Sequence, residues 1–122
     1  MKGEGAAIFN FYFDLGATEL SPGEIAKLRN VAREIRGRRG VARTEPQVTV
    51  VGATYAAGSR ETYQEIAVRR ARAVEAALIA EGVPPSSIAI AEKEQILSGQ
   101  TIGYADQSQM RRVEVQVETP AS

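Results

Sequence analysis

The stretch that decides the fold is GATYAAGSRETYQEIAVRRARAVEAAL, residues Gly52 to Leu78. It follows QVTVVGA (Gln47 to Ala53), a β-branched run with little alternation that predicts a strand in a central position of its sheet. After a Gly/Ser loop, apolar residues recur at helical spacing, which predicts a helix from about Arg60 or Thr62 to Glu81. The inner face of this helix is predicted to consist of Ile66, Ala67, Ala71, Val74, Ala77 and Leu78.

Three arginines lie close together on this helix, at Arg69, Arg70 and Arg72. Arg69 and Arg72 are three residues apart and share a face, whereas Arg70 lies one turn after Ile66 and one turn before Val74. Arg70 is therefore predicted at the edge of the core. Two roles are open to it: a structural salt bridge, or a fork that binds a ligand carboxylate through paired hydrogen bonds. The candidate partners for a salt bridge are Glu61, Glu92 and Glu114.

The residues before the central strand predict one more strand and one more helix. Ala6 to Asp14 alternates so that three phenylalanines fall on one side, which indicates a strand with an apolar face. A helix is predicted from Pro22 to about Arg36, with Ser21 as its cap and Glu24 closing a capping box. Residues Gly37 to Pro46 are predicted to form a polar surface loop with a basic cluster.

After the second helix, Gly82 and two prolines predict a helix stop. A short strand is predicted at Ser87 to Glu92, and a long polar loop at Lys93 to Gln109. Arg111 to Glu118 alternates valine with polar residues and predicts a half-exposed strand, in which each of the two leading arginines forms a structural ion pair. The order is β-α-β-α-β-loop-β, with two helices covering one face of a sheet of about four strands. One domain is expected for residues 1–122, with a core from about 8 to 118.

Composition excludes several kinds of function. The 122 residues carry 15 basic and 15 acidic side chains, and this balance argues against a broad nucleic-acid or membrane footprint. Cysteine and histidine are absent, which excludes disulfides, zinc sites of the usual ligand set and Ser-His catalysis. No run of about 18 apolar residues predicts a membrane span. No pair of carboxylates has a convincing spacing, so neither catalysis nor a metal or other cofactor is expected.

The loop from Gly52 to Ser59 lies between a strand and a helix, as a phosphate-binding loop does. Its spacing differs from that of a Walker loop and the required lysine is missing, so turn formation explains it better than nucleotide binding.

Four blocks of the chain resemble, in order, the OmpA-like domain family. These blocks are FYFDLGATELSPGEIAKL, VTVVGATYAAGS, IAVRRARAVEAALIAEGVPPSSI and MRRVEVQV, and together they cover about Ile8 to Glu118. The resemblance implies an α/β sandwich, with a mixed four-stranded sheet and two main helices on one face. It also implies a periplasmic, non-catalytic module that binds the peptide stem of peptidoglycan at diaminopimelate, excised from a longer Gram-negative envelope protein.

Arg70 matches the family arginine that holds a diaminopimelate carboxylate, because Ala71 matches the alanine that follows it. Tyr55 takes the place of the family aspartate, and that substitution removes an anionic partner of the ligand ammonium. The positions that the resemblance implies for ligand contact are Thr54, Tyr55, Tyr63, Ile66, Arg70 and Met110.

An alternative function belongs to a different class. Tyr55, Tyr63 and Met110 replace polar family residues, and a less polar patch of this kind suits protein contact. Under this hypothesis the domain is a protein-interaction or structural module that does not bind peptidoglycan. A homodimer is a further expectation from the resemblance, because stator relatives form dimers.

Overall fold

The structure is a computed structural model that describes residues 6–14, 16–42, 46–52, 60–91 and 111–118; for 39–42 and 60–64 it describes the backbone alone. The two helices and four strands are those predicted, apart from their limits. They are β1 (Ala6–Tyr12), α1 (Pro22–Ala42), β2 (Gln47–Gly52), α2 (Arg60–Ala80), β3 (Ile88–Ile90) and β4 (Arg112–Glu118). A 3-10 turn, Pro85–Ser87, leads into β3. Neither helix, within the described residues, is long and apolar enough to span a membrane.

The strands form one mixed sheet in the order β1-β4-β2-β3. β2 and β3, which α2 connects, are parallel neighbours, as a helical crossover favours. β4 is antiparallel to both β1 and β2 and lies between them. The α/β class and the mixed four-stranded sheet are thereby confirmed, and so is the central position of β2. The insertion of the last strand between the first two was not predicted from the residues.

The core lies between the sheet and the helices. Val113, Val115 and Val117 of β4 are all 0% exposed, so the predicted alternation of this strand is confirmed. Phe11 of β1 and Phe13, which directly follows this strand, belong to the same core at 0% and 4% exposure. The fully buried members of the helices include Leu28 and Ile35 of α1 and Val74 and Leu78 of α2. Because strand side chains alternate between two faces, the polar residues of β4 lie on the opposite side of the sheet.

α1 is longer than predicted, because it continues to Ala42 instead of ending near Arg36. The prediction of a loop from residue 37 was therefore wrong for residues 37–42. Arginine is a good helix former, and each of the two glycines, Gly37 and Gly40, costs the helix only about 1 kcal/mol, so the basic cluster does not end the helix. Arg38 Nη2 also contacts Glu34 Oε2 at 3.1 Å, an i,i+4 pair that supports the extra turn.

Half of the predicted capping box is present at the start of α1. The backbone N–H of Glu24 donates to Ser21 Oγ at 3.4 Å. The Glu24 carboxylate, however, accepts a hydrogen bond from the backbone N–H of Tyr12 at 3.0 Å and pairs with Lys27 at 3.1 Å. This contact takes the place of the second bond of a capping box, in which Glu24 would bind the backbone N–H of Ser21. Tyr12 lies on the edge strand β1, and its outward N–H otherwise lacks a strand partner. Glu24 thus joins the first turn of α1 to the sheet.

α2 ends as the sequence predicted, with Gly82 in the left-handed region at φ 100°. The backbone N–H of Val83 donates to the Leu78 carbonyl at 3.0 Å, and that of Gly82 to the Ile79 carbonyl at 3.0 Å. This pair of bonds is a Schellman motif, and the buried Val83 completes its apolar contact. Across the end of α2, Arg29 Nε of α1 contacts Glu81 Oε2 at 3.3 Å.

The contact between β2 and α2 depends on a glycine. A Cβ atom at Gly52 would lie 2.4 Å from the carbonyl oxygen of Ala67, so the strand and the helix approach with only a hydrogen between them. Ala67 and Ala71, which are also small, are 4% and 1% exposed on the inner face of α2. This close approach sets the position of the helix residues that follow Ala67, including Arg70.

Candidate functional site

The guanidinium of Arg70 lies against the loop that joins β1 to α1. Arg70 is 5% exposed, which confirms its predicted place at the edge of the core. Its Nε donates a hydrogen bond to the carbonyl oxygen of Ala17 at 2.8 Å, and its Nη2 donates to the carbonyl oxygen of Asp14 at 3.4 Å. The Ala17 N–H donates to the same Asp14 oxygen at 2.9 Å, which closes a turn from Asp14 to Ala17. Arg70 therefore binds the first and last carbonyls of one turn.

An aromatic ring and a second arginine complete this contact. The Phe13 ring centroid lies 5.3 Å from Cζ of Arg70, within the range of a cation–π interaction. Phe13 and Arg111 exchange two bonds across the end of the sheet. The N–H of Phe13 donates to the Arg111 carbonyl at 2.7 Å, and Arg111 Nε donates to the Phe13 carbonyl at 3.1 Å. Two arginines that are distant in sequence thus bind the backbone of Phe13, Asp14 and Ala17.

The proposed salt bridge between Arg70 and Glu114 is not formed. Glu114 accepts instead from Gln116 Nε2 at 2.7 Å, because β4 turns both side chains to the sheet face away from the helices. The side chains of Glu61 and Glu92 lie outside the described residues. Arg111 likewise binds a carbonyl, that of Phe13, and among the described residues it forms no ion pair, contrary to the prediction for it.

These contacts orient the Arg70 cation. Carbonyl oxygens have partial charges only, and a guanidinium has five N–H donors in a rigid planar fork. The bonds to Ala17 and Asp14 use two of these donors. Burial lowers the local dielectric, which strengthens a charged hydrogen bond compared with one in water. Chemically, the arrangement is a pre-oriented cation at the edge of a helix and a turn.

The structure describes part of the predicted site. Ile66 is half-buried on α2 one turn before Arg70, so these two share a face of the helix as the spacing predicted. Tyr63 lies on α2, but its side chain is outside the described residues. Thr54, Tyr55 and Met110 are also outside the described ranges. Their assembly around Arg70 stays a prediction.

Sequence reasoning did not connect Phe13, Asp14 and Ala17 with Arg70. They precede it by more than 50 residues, and helical periodicity describes only neighbours along one element. A signal was present, since the sequence around Asp14 and Gly16 is typical of a turn directly after a strand. Within the described residues, no group of three or more acidic side chains is arranged to hold a metal ion.

The OmpA family model matches residues 12–110 of the chain. This chain belongs to the OmpA family. It is 31% identical over 113 residues to the peptidoglycan-associated lipoprotein of Pseudomonas aeruginosa, covering 89% of this chain and 62% of that protein. The chain therefore spans less than two-thirds of the length of this relative.

Solved structures share the fold of this OmpA family member. The crystal structure of the peptidoglycan-associated lipoprotein from Burkholderia pseudomallei superposes with a TM-score of 0.71 at 21% identity, covering 89% of each chain. The C-terminal domain of Helicobacter pylori MotB superposes with a TM-score of 0.72 at 20% identity, covering 94% of this chain and 89% of that one. At these identities the similarity shows the fold alone, and it agrees with the mixed sheet and paired helices described above.

Proposed function

We propose that this domain binds the diaminopimelate-containing stem peptide of peptidoglycan and anchors a Gram-negative envelope protein to the cell wall. It would do so in the periplasm, without catalysis. The observation that carries the proposal is the position of Arg70, which is the residue that the family resemblance assigns to the ligand carboxylate. Its side chain is buried, and its orientation is set by the Ala17 and Asp14 carbonyls.

Pre-orientation favours binding because the long side chain is already ordered in the free protein, so binding requires little further loss of its conformational entropy. Immobilising such a side chain on binding costs about 0.5–1.5 kcal/mol. In Arg70 this ordering is accomplished by the bond to Ala17 at 2.8 Å and the ring of Phe13 at 5.3 Å. A ligand carboxylate then meets a cation that has little freedom left to lose.

Tyr55 is expected to weaken this binding relative to relatives with aspartate at that position. Removing the partner of a charged group in a binding site costs on the order of 2–5 kcal/mol of binding free energy. A tyrosine ring returns about 0.5–2 kcal/mol through a cation–π contact with the ligand ammonium. The net loss is up to about 4.5 kcal/mol, which weakens the dissociation constant by up to roughly three orders of magnitude.

The proposal is tested by titrating the ¹⁵N-labelled domain with a stem peptide that ends in diaminopimelate. We expect saturable amide shifts in residues 13–17 and around Arg70, and their loss in Arg70→Ala and Arg70→Lys. Arg111→Ala is the matched control, because Arg111 holds the same loop through the Phe13 carbonyl but is not assigned to the ligand. If wild-type protein shows no shifts at millimolar peptide, or if Arg111→Ala abolishes binding as fully as Arg70→Ala, the proposed role of Arg70 is wrong.

A second candidate, a protein-interaction module, is favoured by one observation. The edge strand β1 exposes two large apolar side chains, Ile8 at 57% and Tyr12 at 36%. Such a strand suits contact with another protein, or with a second copy, better than contact with a sugar-peptide polymer. Failure to bind the stem peptide, together with self-association that Ile8→Lys removes in sedimentation, would favour this candidate over wall binding.

A further inference from the structure

Three exposed arginines form a row on the outer surface of α1. Arg29, Arg33 and Arg36 are spaced by four and three residues, so they share one face of the helix over a length of about 10 Å. The buried residues Leu28 and Ile35 occupy a different face, which belongs to the core. Arg29, Arg33 and Arg36 are called the α1 arginine row below.

Two members of the α1 arginine row have no carboxylate partner within the described part of the chain. Arg29 contacts Glu81 at 3.3 Å, although its side chain is still 62% exposed. Glu34, the acidic residue next to the row in sequence, contacts a later arginine of the same helix. Among the described residues, neither Arg33 nor Arg36 forms an ion pair. The row therefore presents net positive charge to solvent.

This arrangement costs the helix stability. Like charges three or four residues apart destabilise a helix by about as much as opposite charges stabilise it. The helix dipole favours cations only in the last turn, and Arg29 and Arg33 precede Ala42 by more than two turns. Neither local interaction explains why the row is positively charged.

The second helix has the opposite arrangement. Its exposed arginines, Arg69 and Arg72, have Glu65 four residues before the first and Glu75 three residues after the second. Acidic residues at these spacings offset the positive charge of the helix face. A row that lacks this balance and lowers helix stability is a local inconsistency of the kind that marks a functional surface.

We propose that the α1 arginine row is a docking surface for an acidic helix of a partner protein. Carboxylates spaced by three and four residues on that helix meet the row, because both helices have the same rise per residue. A guanidinium binds a carboxylate through two parallel hydrogen bonds, and arginine is enriched at protein interfaces. The row does not include Arg70, so its role is separate from wall binding.

The surroundings of the row favour a protein over a lipid bilayer. A helix that lies on a membrane buries an apolar face among the lipids, but Leu28 and Ile35 of α1 are already in the core. The exposed residues that flank the row include Ala26, Asn30 and Gly37, none of which has a large apolar side chain. Since the distance between packed helices depends on the side chains at their contact, these short residues allow a partner helix to approach closely.

The test titrates the domain with two fluorescent alanine-rich helical peptides and follows anisotropy. One peptide has glutamates spaced by three and four residues on one face, and the other has the same glutamates distributed around the helix. Arg33→Glu reverses the charge at the centre of the row. Arg72→Glu is the matched control, because it reverses one exposed arginine on the other helix. Vesicles that contain phosphatidylglycerol test for lipid binding.

We expect the peptide with one acidic face to bind at least about fivefold more tightly than the other, because only its carboxylates meet the row together. Arg33→Glu should weaken it by about tenfold or more, through the lost pair and the new repulsion, and Arg72→Glu should leave it unchanged. Arg33→Glu also turns two repulsive pairs on α1 into attractive ones. Its midpoint in urea unfolding should therefore equal or exceed that of wild type, so weaker binding cannot result from unfolding.

Three results would overturn the docking surface. The first is no binding of the peptide with one acidic face, or equal affinity for both peptides. The second is an equal loss of binding in Arg33→Glu and Arg72→Glu, which indicates general charge attraction only. The third is vesicle binding that Arg33→Glu removes without any preference between the peptides, which assigns the row to lipid.

Discussion

Replacing Arg70 by lysine tests whether the guanidinium fork holds the β1–α1 loop. Lysine keeps the charge and most of the length, but it has a single nitrogen on a flexible stem in place of a planar fork. In the wild type, Nε binds the Ala17 carbonyl at 2.8 Å while Nη2 reaches the Asp14 carbonyl at 3.4 Å. One ammonium cannot reproduce both directions at once, so at least one of the two carbonyls loses its hydrogen bond from residue 70.

The expected loss follows from these two distances. The 2.8 Å bond is a good charge-assisted hydrogen bond, worth about 1.5–3 kcal/mol net. The 3.4 Å bond is long and adds little. Lysine recovers part of the first bond and part of the interaction with the Phe13 ring. We therefore expect Arg70→Lys to lower the free energy of unfolding by about 1–2 kcal/mol.

The measurement is urea unfolding monitored by circular dichroism, in which the unfolding midpoints of variant and wild type are compared. The comparison requires that the dependence of the unfolding free energy on urea concentration is unchanged, because this means that the same surface is exposed on unfolding. Arg69→Lys is the control on the neighbouring, exposed position of the same helix, and we expect it to change stability by less than about 0.5 kcal/mol. Hydrogen exchange at the Ala17 amide, which closes the turn, should accelerate in Arg70→Lys alone.

The reasoning is refuted if Arg70→Lys and Arg69→Lys have the same unfolding midpoint as wild type. Such a result would mean that the two carbonyl contacts contribute no net stability. The orientation of the cation, on which the proposed ligand contact depends, would then not be maintained by the loop.

Three further substitutions test contacts that position the site. Gly52→Ala should destabilise the fold by about 1–3 kcal/mol in urea unfolding, because its Cβ would lie 2.4 Å from the Ala67 carbonyl oxygen; a neutral result would show that α2 moves away freely. Gly82→Ala should cost about 1–2 kcal/mol, because alanine at φ 100° is strained, and an unchanged thermal midpoint would contradict the Schellman geometry. Glu24→Gln should accelerate hydrogen exchange at the Tyr12 amide severalfold, while the free energy of unfolding changes by less than about 1 kcal/mol. An unchanged exchange rate would show that the Glu24 carboxylate does not protect this amide of the edge strand.

The elements that the sequence predicted well are those whose signal is local. The valines of β4 alternate over a whole strand, and the apolar residues of α2 repeat from Ile66 to Leu78, so burial on one face follows from geometry alone. Gly82 marked the end of α2 because few other residues accept a left-handed conformation. Where local signals compete, the prediction failed: the basic residues 37–42 were interpreted as a loop but continue α1.

For the site, periodicity placed Arg70 at the edge of the core but did not identify its partners. Ala17 and Asp14 lie 53 and 56 residues away in sequence, and no local pattern connects them with α2. Their contact exists because β4 lies between β1 and β2 and because Gly52 lets α2 approach the sheet closely. Both conditions belong to the packing of the whole domain.

The amino-acid sequence by itself determined the kind of domain, because hydrophobic periodicity, turn residues and ordered motifs each depend on neighbours along the chain. The tertiary structure alone decided what surrounds the Arg70 guanidinium. Hydrogen bonds between a helix side chain and a loop backbone depend on how the sheet is ordered and how closely the helix packs on it, and neither is encoded within one segment. For this reason the contacts of Arg70 with the carbonyls of Asp14 and Ala17 became visible only in the folded molecule.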